Sequence, residues 1–233
     1  MRGIYLLGGY PDRKIFMDCA RRVSDAKFDF LEIGLPFNDP VADGPVIASA
    51  GAKALASGVT TEQILSDTIE LAQLPIKKFI MTYANIPHAL GIENFSQRLK
   101  GYIEGIIIPD LPNRMSGFFR HAGMRIPIVP FATLETRKED LAALNESESP
   151  FIYFVGVRGT TGSSSNIDSS EISEKLHEIR TLTRKPIILG FGIKTRADAD
   201  KALEMADGFV IGTEAVRRQE DPDLLEEYLR TII

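Results

Sequence analysis

The 233-residue sequence has no tryptophan, a single cysteine (Cys19) and only three histidines. One cysteine excludes an internal disulfide. His88, His121 and His177 are scattered along the chain, which excludes a recognisable histidine metal cluster. Long apolar runs are also missing. The opening stretch has only Gly3–Leu7 before further glycines, too little for a signal peptide or a membrane span. Basic excess is absent: 27 Lys and Arg face 32 Asp and Glu, a net charge of −5, which excludes a general nucleic-acid or anionic-membrane binder. There is no linker, repeat or low-complexity tract, and 44% hydrophobic against 25% charged residues excludes disorder. The expectation is a cytoplasmic α/β protein without metal or disulfide support, folded as one domain over residues 1–233.

What the chain has is alternation. Short apolar runs at Gly3–Leu7, Phe30–Ile33, Phe79–Thr82, Gly105–Pro109, Ile126–Phe131, Phe151–Val155, Pro186–Gly190 and Gly208–Ile211 are nearly continuous rather than alternating, as parallel strands buried on both faces should be. Between them lie amphipathic helical periods. Their apolar stripes are Ile15, Phe16, Cys19, Ala20 and Val23, then Ile64, Leu65, Thr68, Ile69 and Ala72. Ile172, Leu176 and Ile179 form a third, and Leu224, Leu225, Tyr228, Leu229 and Ile232 the last. Asp168, three residues before Glu171, reads as a helix start. Eight strands and eight helices in this length predict a closed (β/α)8 TIM-type barrel, with an open doubly wound sheet as the alternative.

In such a barrel the site is built at the C-terminal ends of the strands. Glu32 lies within the second apolar run, where a carboxylate is costly unless paired or functional. Desolvation would raise its pKa and suit it to proton donation, whereas a structural Glu would be met by a lysine or by backbone. Asp39 and Asp43 follow on a loop stiffened by Pro36, Pro40 and Pro45; they are solvated turn residues, or Asp43 presents a second carboxylate opposite Glu32. Asp110, after the fourth run, is a third candidate carboxylate or, as its structural reading, a cap for the helix that follows it. The second half supplies glycines instead: Gly159-Thr160-Thr161-Gly162, Gly190-Phe191-Gly192-Ile193 and Ile211-Gly212-Thr213 follow successive strands; each alone would serve a turn, and together they make a phosphate monoester the leading ligand. The Ser-rich stretch Gly162–Ser165 has the composition of a mobile loop.

The run from Leu31 to Pro45, Leu-Glu-Ile-Gly-Leu-Pro-Phe-Asn-Asp-Pro-Val-Ala-Asp-Gly-Pro, closely resembles the signature of the tryptophan synthase alpha chain family. Met81-Thr82-Tyr83-Ala84-Asn85, Pro109-Asp110-Leu111-Pro112, the three glycine motifs and Asp207–Gly212 continue the resemblance in family order. It implies retro-aldol cleavage of indole-3-glycerol phosphate to indole and glyceraldehyde 3-phosphate. Glu32 would be the acid/base, Asp43 the partner of the ring N–H, and Tyr153 the tyrosine beside the glutamate. Tyr5 would pack beside the indole, and Tyr83, in the matching third-strand motif, would also bind substrate. Gly162, Gly192, Gly212 and Thr213 would bind phosphate, and Thr161 would help close the loop over substrate. Pro36, Asp39 and Pro40 would face a beta chain in an α2β2 assembly. That partner would carry pyridoxal phosphate, and this chain would need no cofactor. A standalone indole-3-glycerol-phosphate lyase and a non-catalytic activator of a beta chain are the alternatives. The sequence departs from the family in starting almost at the first strand, without most of the helix that usually precedes it. It also has Asn38 and Ala48 in the partner-facing segment, lacks the Pro-Thr run after strand five, and has Glu214 after Gly212-Thr213, which places an anion near the phosphate.

Overall fold

The computed structural model describes residues 1–145, 147–156 and 170–233. Eight parallel strands form one sheet in the order β4-β3-β2-β1-β8-β7-β6-β5. They are β1 (Arg2–Leu7), β2 (Phe30–Gly34), β3 (Lys77–Met81), β4 (Gly105–Ile107), β5 (Phe131–Thr133), β6 (Ile152–Val155), β7 (Ile187–Leu189) and β8 (Gly208–Ile211). The two ends of this order meet at Ile106, whose N–H donates to the Pro127 carbonyl at 2.9 Å and whose carbonyl accepts from Val129 at 2.8 Å. The sheet is therefore a barrel, as the alternating pattern predicts, and the open-sheet alternative falls.

The fifth strand differs from its prediction. Ile126–Phe131 reads as one run, yet the segment before Pro130 closes the barrel against β4, and regular pairing with β6 begins only at Phe131. Pro127 and Pro130 have no N–H to give a ladder, so the strand is broken into two short pieces.

The described residues form eleven α-helices rather than eight: α1 (Arg13–Asp25), α2 (Pro45–Ala56), α3 (Thr61–Glu70), α4 (Asn85–Ala89), α5 (Ile92–Leu99), α6 (Ser116–His121), α7 (Lys138–Ala142), α8 (Ser170–Leu182), α9 (Arg196–Met205), α10 (Thr213–Arg218) and α11 (Pro222–Ile232). The extra ones are short helices on the loops, which carry too few turns to show a period. Local chemistry sets several starts. The side chains of Asp12, Thr60 and Asp221 cap α1, α3 and α11, and Thr195 with Asp198 forms a reciprocal capping box on α9. The predicted stripes pack inward, except that Leu224 is exposed at the start of α11. Asp168 lies outside the described residues.

The two-residue period of a strand sorts the barrel interior into layers. Phe30, Glu32 and Gly34 share one face of β2, and Phe151 and Tyr153 share one face at β6. The lower layer is aromatic: the Phe30, Phe79 and Phe151 rings lie 4.9–5.5 Å apart between centroids and are fully buried. Gly3 makes room for this floor, since a Cβ there would sit 2.3 Å from the Phe30 ring. Glu32 stands one layer above, opposite Tyr5 on β1 and Phe79 on β3 in the strand register.

Candidate active site

Glu32 has no exposed surface. Its Oε2 accepts a long 3.4 Å hydrogen bond from the Tyr153 hydroxyl, and Oε1 has no partner among the described residues. Burial over the aromatic floor pushes the carboxyl up to about 8 from a usual 4.5, with the Tyr153 bond pulling weakly the other way. No lysine meets it among the described residues. The buried Lys78 of neighbouring β3 instead donates to the carbonyls of Ala72 and Leu74. The structural alternative for Glu32 therefore lacks its cation, and a carboxylic acid that is neutral near physiological pH remains.

Two glycines set the rings around it. A Cβ at Gly34 would lie 2.0 Å from the Tyr5 hydroxyl, and one at Gly190 would lie 1.9 Å from the Tyr153 ring. Gly190, read from sequence with the phosphate glycines, thus serves the tyrosine. Tyr153 also stacks on Phe131 at 5.4 Å.

Asp43 reaches the site from the proline-stiffened loop after β2. Its Oδ2 accepts from the Tyr83 hydroxyl at 3.0 Å, and that hydroxyl accepts from the Ala42 N–H at 3.1 Å. Tyr83 stacks on Phe37 at 5.1 Å, which ties the loop to the end of β3. Burial raises the Asp43 carboxyl, against the Tyr83 bond. The Tyr5 hydroxyl is pushed far up, first by burial and then by the charges of Asp43, Tyr83 and Glu32, so one ring lies near both carboxyls. On the same loop Pro36 is buried within this chain, Pro40 is half-buried, and Asp39 and Val41 are exposed. Asp110 does not cap its following helix; it accepts from the Ala84 N–H at 2.9 Å, at the start of α4.

A cleft opens above these groups, lined by Tyr5, Asp43, Tyr153, Gly192, Gly212 and Thr213 among others. Gly192 has φ +73°, which an L side chain rarely adopts. Thr161 and Gly162 lie outside the described residues. Lys194, Glu214 and Arg217 also line the cleft. The two cations were not singled out in the sequence, although Arg217 is one helical turn from Thr213 and Lys194 two residues from Gly192. Glu214 is there as the family comparison predicts, but it pairs with Arg218 at 2.6 Å and approaches Arg217 at 3.5 Å. Among the described residues, no group of three or more His, Cys, Asp or Glu is arranged to hold a metal, and no helix is long and apolar enough to cross a membrane.

A buried acid of raised pKa, a second carboxyl at the cleft and glycines with cations at the ends of β7 and β8 are what a (β/α)8-barrel enzyme needs to move protons on a small molecule. The model of the family "Tryptophan synthase alpha chain" matches residues 4–231. The tryptophan synthase alpha chain of Bacillus cereus (strain AH820) is 34% identical over 223 residues, covering 93% of this chain and 85% of that one. The alpha chain of Streptococcus pneumoniae serotype 4 is 33% identical over 214 residues, covering 91% and 82%. Solved structures agree: Mycobacterium tuberculosis tryptophan synthase superposes with a TM-score of 0.91 at 26% identity, over 99% of this chain and 90% of that one. Campylobacter jejuni tryptophan synthase subunit alpha gives 0.87 at 27% identity, over 100% and 95%. The chain belongs to the tryptophan synthase alpha chain family, lyases of tryptophan biosynthesis that cleave indole-3-glycerol phosphate.

Proposed function

We propose that this chain is a single-domain, cytoplasmic alpha subunit that cleaves indole-3-glycerol phosphate with Glu32 and Asp43 and passes indole to a pyridoxal-phosphate beta subunit in an α2β2 assembly. The observation that supports it most is the state of Glu32, a fully buried carboxyl pushed up to about 8. A carboxyl of that kind still carries its proton at neutral pH and can deliver it to carbon.

The proton cycle closes on itself. Glu32 protonates the ring carbon that bears the glycerol chain, and the positive charge that develops on the ring nitrogen is met by Asp43. Tyr83 holds Oδ2 of that carboxylate, leaving the other oxygen for the ring N–H. Glu32, now a carboxylate, takes the proton of the adjacent glycerol hydroxyl. The carbon–carbon bond then breaks, its electron pair returns to the ring, and an aldehyde leaves. Glu32 ends protonated, as it began. Tyr153 steadies the carboxylate stage by its hydrogen bond, Tyr5 packs beside the indole, and Gly192, Gly212 and Thr213 receive the phosphate end together with Gly162, with Thr161 on the covering loop. Asp39 and Pro40, with the backbone that follows Pro36, face the beta subunit, so the loop that carries Asp43 also senses the partner.

The deciding measurement is indole release from indole-3-glycerol phosphate, with and without the beta chain from the same organism. The expected result is slow release alone that rises strongly with the beta chain. Fast release with no response identifies a standalone lyase, and no release at saturating substrate sinks the catalytic assignment.

A further inference from the structure

We propose that Arg217 and Lys194 grip the phosphate end of the substrate with their side chains, and that Glu214 is the internal anion which the phosphate displaces from Arg217. This inference rests on the reading that the phosphate lies against Gly192 and Gly212. It assigns to that end two cationic side chains beyond the glycine and Thr213 contacts.

The first support is how unequally Glu214 treats its two arginines. Arg218 is locked: its guanidinium donates to Glu214 Oε2 at 2.6 Å and to the Glu214 carbonyl at 2.9 Å, and it lies over the Tyr228 ring at 4.2 Å. Arg217 approaches the other oxygen, Oε1, at only 3.5 Å, and its side chain is 55% exposed. A guanidinium held that loosely at the wall of the cleft is left largely unsatisfied. The nearby Glu220 is drawn toward the far side, where its Oε1 accepts from the Tyr10 hydroxyl and from Lys53.

Lys194 supplies the second cation from another element. Its backbone is pinned on both sides of the Cα: the carbonyl accepts from the Tyr228 hydroxyl at 3.0 Å, and the N–H donates to Asp198 at 3.1 Å. Its ammonium has no acidic partner among the described residues. Tyr228 therefore organises the whole group, stacking on Arg218 and fixing the strand-seven loop that carries Lys194. Lys194 and Arg217 line the cleft while Arg218, outside its lining, neutralises Glu214, so two cationic side chains are left for the phosphate end, which matches a phosphate dianion. Glu214 lowers the cost of holding three cations together when the cleft is empty, and yields Arg217 to a better anion when it is filled.

The test is equilibrium binding of two probes to the full chain: glycerol 3-phosphate, which has the charged end alone, and indole, which is neutral. Arg217→Gln and Lys194→Gln are each expected to weaken glycerol 3-phosphate about tenfold, close to 1.4 kcal/mol, with indole binding unchanged. Arg217→Lys should recover part of the loss. Glu214→Gln is expected to tighten glycerol 3-phosphate severalfold, because the competing anion is gone. Unchanged phosphate affinity in Arg217→Gln overturns the proposal, as does an equal loss for indole, which would mark a packing defect. A wild-type chain that takes up no glycerol 3-phosphate overturns the phosphate reading itself, and this inference with it.

Discussion

Glu32 is acidic chemistry made by its surroundings. Its neighbours in the strand register are Tyr5 and Phe79, and a phenylalanine layer lies below it, so its charge meets almost nothing that would stabilise it. Glu32→Gln keeps the shape and removes the proton. Cleavage should fall by at least about a hundredfold, the contribution of a positioned acid/base, while glycerol 3-phosphate binding stays largely intact. Retention of most turnover would remove Glu32 from the mechanism. The same group sets two pH dependences. Because the protonated form starts the cycle, kcat/KM should hold at neutral pH and decline as pH rises through about 8. For stability, the unfolded carboxyl titrates near 4.5 and the folded one near 8, so between these values the native chain holds a proton that the unfolded chain releases. The contribution of Glu32 is whole below the lower value and is lost as pH rises to the upper one. Thermal melts from pH 5 to 8 should therefore fall less steeply in Glu32→Gln than in wild type. Asp43, also raised by burial, acts with the same sign in both proteins as pH rises above its usual 3.8.

At the scale of elements, the strand ends do more than carry loops. Gly190 closes β7 where the Tyr153 ring of β6 crosses it, and Gly34 does the same for Tyr5. Gly190→Ala must push the Tyr153 ring aside, at a cost of about 1–3 kcal/mol typical of overpacking. It should also lower kcat, since the hydroxyl leaves Glu32. Urea midpoints should show the loss, and Tyr153→Leu in the same chain should recover most of it; a Gly190→Ala protein as stable as wild type would mean that the ring has room to move. These are relations that sequence conceals. The inward face of β2 was legible, because Phe30 and Glu32 are two apart and strands repeat every two residues. The loop to Asp43 was legible from its prolines. Gly190 was not, because a glycine that yields space to a distant ring looks the same in sequence as one that meets a phosphate. Nor was the partner of Asp110, since its bond to Ala84 joins neighbouring loops that only the barrel brings together. Arg217 needed a six-residue helix to place it one turn from Thr213, and so short a helix leaves no period to read.

Over the whole molecule, stability and catalysis share the same three rings. Phe30, Phe79 and Phe151 close the barrel floor and are also what keeps water from Glu32. If the floor is the source of the desolvation, thinning it must act on both properties at once. Phe79→Ala should destabilise the fold by about 3–5 kcal/mol, the usual cost of deleting a buried aromatic ring. Phe79→Leu, which keeps much of the volume, should cost less and give a protein that folds in any event. In either variant the space beneath Glu32 admits water or polarisable slack, its carboxyl moves back toward 4.5, and the alkaline decline of kcat/KM shifts to lower pH, further in Ala than in Leu. Activity at pH 8 then falls more than activity at pH 6, which a general loss of folded protein would not produce. A floor variant that loses stability while its pH profile stays in place would separate the two roles, and would trace the acidity of Glu32 to the tyrosines above it instead of the phenylalanines below.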